Sequence, residues 1–250
     1  YRDSNKDFGA IGTFTAFSEL NSIYQKVYKS NDFMTFSALV VSPESYKLTD
    51  KLHQDYPSAE SQLSKGHKYD VTTNIFDKLP QIFKIELSDD ELKTDYIKII
   101  GRENNLRSEK WVRKDYINGP DNLYGYKVIL PKSNGSGAIG EVLSTPLIGE
   151  PLIGHTQTFI SVGNFSTYEE SVACLKYIKT KFARTMLGIL KITQHNPKAT
   201  WTFVPNQDFT PNSDIDWSQS IESIDQQLYK KYNLSQDEID FIESKVRAMD

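Results

Sequence analysis

Cysteine is nearly absent. Cys174 is the one thiol in 250 residues. A lone thiol excludes an internal disulfide framework and a cysteine-based zinc site, and it fits a reducing, cytoplasmic setting. No apolar stretch approaches the roughly 18–20 residues that a membrane-spanning helix needs, so no span is expected. With 13 glycines and 10 prolines the composition is neither collagen-like nor low-complexity. The four histidines, His53, His67, His155 and His195, lie too far apart for metal-ligand spacing. No Gly-x-Ser-x-Gly nucleophile elbow is present. The chain opens on Tyr1 without a basic-then-apolar leader, and it reads as a piece of a longer protein.

What is present suits a folded chain. Hydrophobic residues make up 38%, and 14 Tyr, 13 Phe and 3 Trp supply bulky core material. That excludes a disordered chain, and the length allows one large domain or two small ones. The net charge of −4 argues against a simple nucleic-acid binder, but the charges are segregated. Residues 171–200 contain no Asp or Glu, yet carry Lys176, Lys179, Lys181, Arg184, Lys191 and Lys198. Residues 93–132 are also basic on balance, and the chain after Pro205 is acidic. A basic middle with an acidic end suits a polyanion partner for the middle; two segregated solvated faces would produce the same pattern.

The periodicity predicts an α+β fold, with a mixed sheet in the middle of the chain, flanking helices and a helical C-terminal tail. The expected segments are a lead-in over 1–90, a core over 91–205 and an acidic tail over 206–250. Residues 8–12 (FGAIG) form a glycine-spaced turn entering the run 13–17, without the Lys-Ser/Thr of a phosphate loop. Phe17, Leu20, Ile23, Tyr24 and Val27 have helical spacing. A buried strand is expected over 36–41, with helices over 44–54, 59–63 and 75–79. Further strands are expected over 96–101, 110–117, 126–130, 155–162 and 201–204. One long helix follows the capping-box residues Ser166–Glu170, with Val172, Leu175, Ile178, Phe182, Met186 and Ile189 as its apolar stripe. The tail holds helices over 221–232 and from Ser235, a second capping box with Glu238, to the end.

Several segments carry a resemblance. YKVILPKSNGSGAIGEVLSTPLIGEPLIGHTQTFISVG, EESVACLKYIKTKFARTMLGILKITQ, VPNQDFTPNSDIDWSQSIESIDQQLYKKY and LSQDEIDFIESKVRAM, led into by HKYDVTTNIFDKLPQIFK, cover most of residues 67–250. Together they resemble the C-terminal target-recognition region of bacterial type II (type IIG-like) restriction–modification enzymes. In those single-chain proteins an adenine-N6 DNA methylase domain precedes the recognition region. The resemblance implies double-stranded DNA and a missing N-terminal methylase domain as partners, and S-adenosylmethionine as the cofactor of the parent enzyme. Some relatives also cleave DNA. This chain departs from the complete pattern: Phe-x-Gly-x-Gly is absent, and no two prolines adjoin to form the Asp/Asn-Pro-Pro-aromatic motif. The expectation is therefore a fragment that reads DNA, with no catalytic residue and no cofactor of its own.

Two loops are the expected readers. PKSNGSG presents Lys132, Ser133, Asn134 and Ser136, and GRENNLRSEK presents Arg102, Asn104, Asn105, Arg107 and Lys110. Arg can fork onto guanine, Asn can pair with adenine, and all of these residue types bind phosphate. Lys176, Arg184 and Lys191 fall near one another off the apolar stripe, where they add phosphate contacts or form a solvated face. Two other classes stay open. A metal-dependent nuclease would draw on Glu109, Lys110, Glu243 and Lys245. A protein-interaction scaffold would dock a partner subunit through the aromatic, acidic tail.

Overall fold

A computed structural model of the chain describes residues 15, 17–30, 32–135, 138–191 and 193–249. The turn at 8–12, most of the run 13–17, and Ser136 lie outside the described residues. The fold is α+β, as expected. Helix α1 (Ser18–Tyr28) buries Leu20, Ile23, Tyr24 and Val27, the residues whose spacing predicts it. The expected strand over 36–41 shrinks to β1 (Val40–Val41). The Thr35 side chain accepts the Ser37 N–H and bends Phe36–Leu39 into a 3-10 turn. The expected helix over 44–54 is likewise divided. A 3-10 turn at Pro43–Ser45 leads to β2 (Lys47–Leu48), and α2 starts only at Asp50 (Asp50–Asp55). Thr49 caps α2 by accepting the Leu52 N–H, which is what starts a helix in mid-segment.

Helices α3 (Ala59–Gln62) and α4 (Ile75–Lys78) fall where expected, and β3 (Phe83–Lys84) follows. Strands β4 (Tyr96–Glu103) and β5 (Leu106–Arg113) form a long hairpin. The chain then turns through Lys114–Tyr116 into β6 (Ile117–Asn118), so the expected strand over 110–117 is broken at Arg113. Strands β7 (Tyr126–Pro131), β8 (Leu147–Gly149), β9 (Ile153–His155) and β10 (Phe159–Phe165) follow. The expected strand over 155–162 is really the end of β9 and the start of β10, which belong to different sheets. Residues 201–204 form no strand; Lys198–Trp201 is a 3-10 turn, and a lone bridge joins Thr35 to Pro205.

The expected long helix is two helices, α5 (Tyr168–Lys179) and α6 (Lys181–Gly188). Thr180 separates them in an extended conformation, and its hydroxyl oxygen accepts the Ala183 N–H. The Asp225 carboxylate completes the new N-terminus by accepting the Lys181 and Phe182 N–H groups, both at 2.9 Å. Burial pushes that carboxyl up to about 6. The apolar stripe runs on across the break, which is why spacing alone reads one helix. In the tail, α7 (Ile221–Lys231) and α8 (Gln236–Lys245) form as expected, with the Ser235–Glu238 capping box intact; α8 stops at Lys245, short of the chain end.

Two four-stranded sheets result, with strand orders β1-β10-β7-β8 and β3-β5-β4-β9, and β2 pairs with β6. The first sheet is antiparallel, and the second is mixed because β4 and β9 run parallel. One apolar cluster joins α1, the first sheet and α5–α8. A second cluster is drawn from residues between 46 and 123. The chain thus leaves one lobe after β1, builds a second lobe, and returns in β7. The division expected near residue 90 falls inside the second cluster. Ile100, Ile129 and Phe159 form a small cluster at the junction. No helix among the described residues is long and apolar enough to cross a membrane.

The junction also buries polar groups. His155 Nδ1 lies 3.1 Å from the Thr156 carbonyl, which can only accept, so Nδ1 carries the proton and Nε2 accepts from the Ser161 hydroxyl at 3.1 Å. Ser161 in turn accepts from Asn122 Nδ2 at 2.9 Å. Burial pulls His155 down to about 4, keeping the ring neutral. Lys127, at 0% exposure, donates to the carbonyls of Gly125 and Glu150 at 2.9 and 3.0 Å, and desolvation pulls its ammonium down to about 7. Above that value the unfolded chain binds a proton at this site that the folded chain does not, up to the lysine's ordinary 10.5. Stability should therefore rise with pH above about 7. Lys127→Met should remove roughly 2–3 kcal/mol of that rise between about pH 7 and 9. Urea unfolding of both proteins across that window checks it; parallel pH profiles would contradict it.

Candidate nucleic-acid interface

The GRENNLRSEK segment is a hairpin. Asn104 and Asn105 occupy left-handed conformations, with φ of 49° and 64°. Positive φ at both central residues is what a tight two-residue β-turn with the strands' own twist requires, and asparagine tolerates it. This turn sets the register of the strand ends, pairing Arg102 with Arg107 and Glu103 with Leu106. Paired residues point to the same side of the ribbon, so two guanidiniums share one face. Like charges directly opposed destabilise a sheet unless an anion joins them. Glu103 points to the other face and pairs with Lys110 at 2.6 Å, while Glu109 pairs with Lys98 at 3.3 Å. Neither Arg102 nor Arg107 forms a salt bridge among the described residues.

Each arginine is held by main chain instead. Arg102 Nη2 donates to the Asn105 carbonyl at 2.6 Å. Arg107 Nη2 donates to the Thr145 carbonyl at 2.8 Å and to Thr145 Oγ1 at 3.1 Å, and its guanidinium lies over the Phe159 ring, 5.5 Å from the centroid. Loss of solvent pulls Arg107 below the usual guanidinium value, with Glu109 acting in the opposite direction. These contacts close a cleft of about 420 Å³ that brings the two expected loops together: Arg102, Asn105 and Arg107 from the hairpin, Ser133 from the glycine loop. Pro131, at the start of the same glycine loop, also lines it, and Ser144, Thr145, Thr158 and Phe159 complete its wall. Sequence reasoning missed these four, because only the tertiary fold brings residues so distant in the chain to one place.

Most of the remaining expected readers are occupied within the fold, while Asn104 stays exposed at the hairpin turn. Lys132 is half-buried, and its main chain bonds to Thr158 and Asn196. Ser133 Oγ lies 3.0 Å from His195 Nδ1. Asn134 is buried, donating to the Val142 carbonyl at 2.7 Å and accepting the Ser144 N–H at 2.6 Å. Lys110 is buried between Glu103 and the Phe76 ring. Lys176 donates to the carbonyls of Trp217, Ser218 and Gln219. Arg184 and Lys191 do not form the solvated face that spacing allows. Arg184, 2% exposed, bonds the carbonyls of Lys179, Thr180, Gly140, Glu141 and Arg247. Lys191, 4% exposed, bonds the Asn134 carbonyl and Glu141.

A larger cleft of about 790 Å³ lies on the second lobe, between Lys47, Asp50, Tyr69, Asp70 and Lys114. Asp70 there joins Lys47 at 2.6 Å and His67 at 2.7 Å, and Asp50 accepts from the Tyr69 hydroxyl at 2.7 Å. Among the described residues no group of three or more His, Cys, Asp or Glu side chains is placed to hold a metal ion. Glu109 and Lys110 sit on the hairpin, while Glu243 is joined to Lys181 and Tyr229 in the other lobe. A nucleoside cofactor on a doubly wound sheet lies at the carboxyl ends of parallel strands. The one parallel pairing among the described residues is β4 with β9, so these residues do not fit S-adenosylmethionine in that manner. No family model matches the chain, and no curated protein matches it.

The two classes of arginine differ in consequence. Arg184→Met leaves several buried carbonyls without a donor and should lower stability by about 3 kcal/mol or more. Arg102→Ala, at the exposed hairpin, should change it by less than about 0.5 kcal/mol. Chemical denaturation of both variants checks the contrast, and equal losses would contradict it.

Proposed function

We propose that the chain is a sequence-specific reader of double-stranded DNA. It would be the target-recognition region of an adenine-N6 DNA methyltransferase of the restriction–modification kind. The observation that carries this reading is the pair of opposed guanidiniums, Arg102 and Arg107, in a polar cleft without carboxylate partners. A phosphodiester backbone supplies the negative charge that the cleft's lining lacks, and a base edge supplies further acceptors for its donors. The acidic tail supports the same orientation. Its helices pack on α1, α5 and α6, and Glu238 pairs with Lys26 at 2.7 Å. On this reading, S-adenosylmethionine and methyl transfer belong to a methylase domain outside the described residues, and no catalytic step is assigned to this chain.

The test is retention of random duplex DNA by the purified chain at low and raised salt, with sequencing of what is kept. The expected result is a short recovered motif and an affinity that falls steeply with salt, as arginine contacts release counterions. Arg102→Ala with Arg107→Ala should abolish retention. Salt-insensitive retention, or none at low salt, would contradict the proposal.

A further inference from the structure

We infer that the two cleft arginines divide the work: Arg107 reads a guanine, and Arg102 holds a backbone phosphate. This rests on the DNA-reading proposal above and deepens it.

The division follows from how each guanidinium is held. Arg107 is fixed from two sides. Phe159 beneath it is 2% exposed and packs with Ile100 and Ile129 at the junction of the lobes, so the platform itself cannot shift. Thr145, which accepts from Nη2 through both its carbonyl and its hydroxyl, sits in a left-handed conformation with φ of 32°. Backbone in that region persists only where its surroundings hold it. The plane of the guanidinium is therefore set before a partner arrives; among the described residues Nε and Nη1 carry no bond, and exchange of the longer contact to Thr145 Oγ1 lets Nη2 complete a fork with either. A flat group of fixed orientation suits the paired O6 and N7 acceptors of guanine, which demand one geometry. A phosphate makes no such demand, because its oxygens accept from many directions.

Arg102 has no aromatic platform. Its one bond among the described residues runs to Asn105, within its own hairpin; both arginines are exposed, and they differ in how they are held. That is a cation tied only to its own turn, suited to following a backbone and not to discriminating an edge. The register places the two across from each other, so one hairpin would touch a base and a phosphate of the same duplex.

The experiment is the duplex selection repeated with the wild-type chain, Arg107→Ala, Arg107→Lys and Arg102→Ala, each first shown by circular dichroism to be folded. The wild-type site should contain a guanine position. Both Arg107 variants should lose preference there by about 5- to 150-fold while other positions keep theirs. Arg107→Lys keeps the charge but not the fork, so its failure to restore the preference separates edge reading from simple attraction. Arg102→Ala should weaken all sequences alike and reduce the salt slope by about 1. Arg107 variants that bind more weakly but keep every base preference would overturn the inference, as would a changed motif in Arg102→Ala. Retention without any motif would overturn it while leaving duplex binding standing. No retention by the wild-type chain would remove the underlying proposal as well.

Discussion

A guanidinium shut away from water must find its acceptors in the chain around it, and Arg184 meets that demand in a way that organises the larger lobe. Its donors reach the carbonyls of Lys179 and Thr180 at the break between α5 and α6, of Gly140 and Glu141 in the glycine loop, and of Arg247 after α8. Three segments far apart in sequence are thereby tied to one side chain. Lys191 adds a second tie to the same loop through the Asn134 carbonyl and Glu141. Buried cations of this kind cost too much to leave unsatisfied, so the loop that lines the cleft has little choice of position. Asn134 then holds Val142 and Ser144 close, and Thr145 beside them holds Arg107. The hold on the cleft arginine thus traces back to a buried arginine outside the cleft.

The two lobes meet at the same place. Between His155 and Phe159 the chain crosses from the mixed sheet to the antiparallel one. Phe159 is at once a member of the junction cluster, the first residue of β10 and the ring under Arg107. The hairpin belongs to the second lobe and the glycine loop to the first, so the cleft is built across the junction. The neutral His155, bonded to Ser161 and through it to Asn122, binds the junction without placing a charge there. Lys127 is the exception, and main-chain carbonyls satisfy it.

Much of the architecture was legible in the sequence, and the failures share a cause. Amphipathic spacing identified α1, and the capping boxes identified the starts of α5 and α8, because those signals are local. Strands over 36–41 and 155–162 were misread because an apolar run does not show where a 3-10 turn or a change of sheet interrupts it. The break at Thr180 was invisible because Asp225, the group that completes the second helix start, comes from a different helix. At the site, residue type correctly drew attention to both loops. It could not separate Arg102 and Arg107, which face a cleft, from Arg184 and Lys191, which are buried, because that distinction depends on carbonyls contributed from elsewhere in the chain. The asparagine pair at 104–105 is the one local signal for the hairpin, since two adjacent residues that tolerate positive φ allow a tight turn between strands, but the same pair also suits an open loop.

The central claim is that duplex DNA is held where the hairpin and the glycine loop meet. Hydrogen–deuterium exchange of the full chain, with and without a bound duplex, tests it most directly. The account predicts new protection in residues 102–107 together with 131–133 and 144–145, with the second-lobe cleft around Asp50, Asp70 and Lys114 unchanged. Protection confined to that second cleft, with the hairpin and glycine loop unaffected, would contradict it.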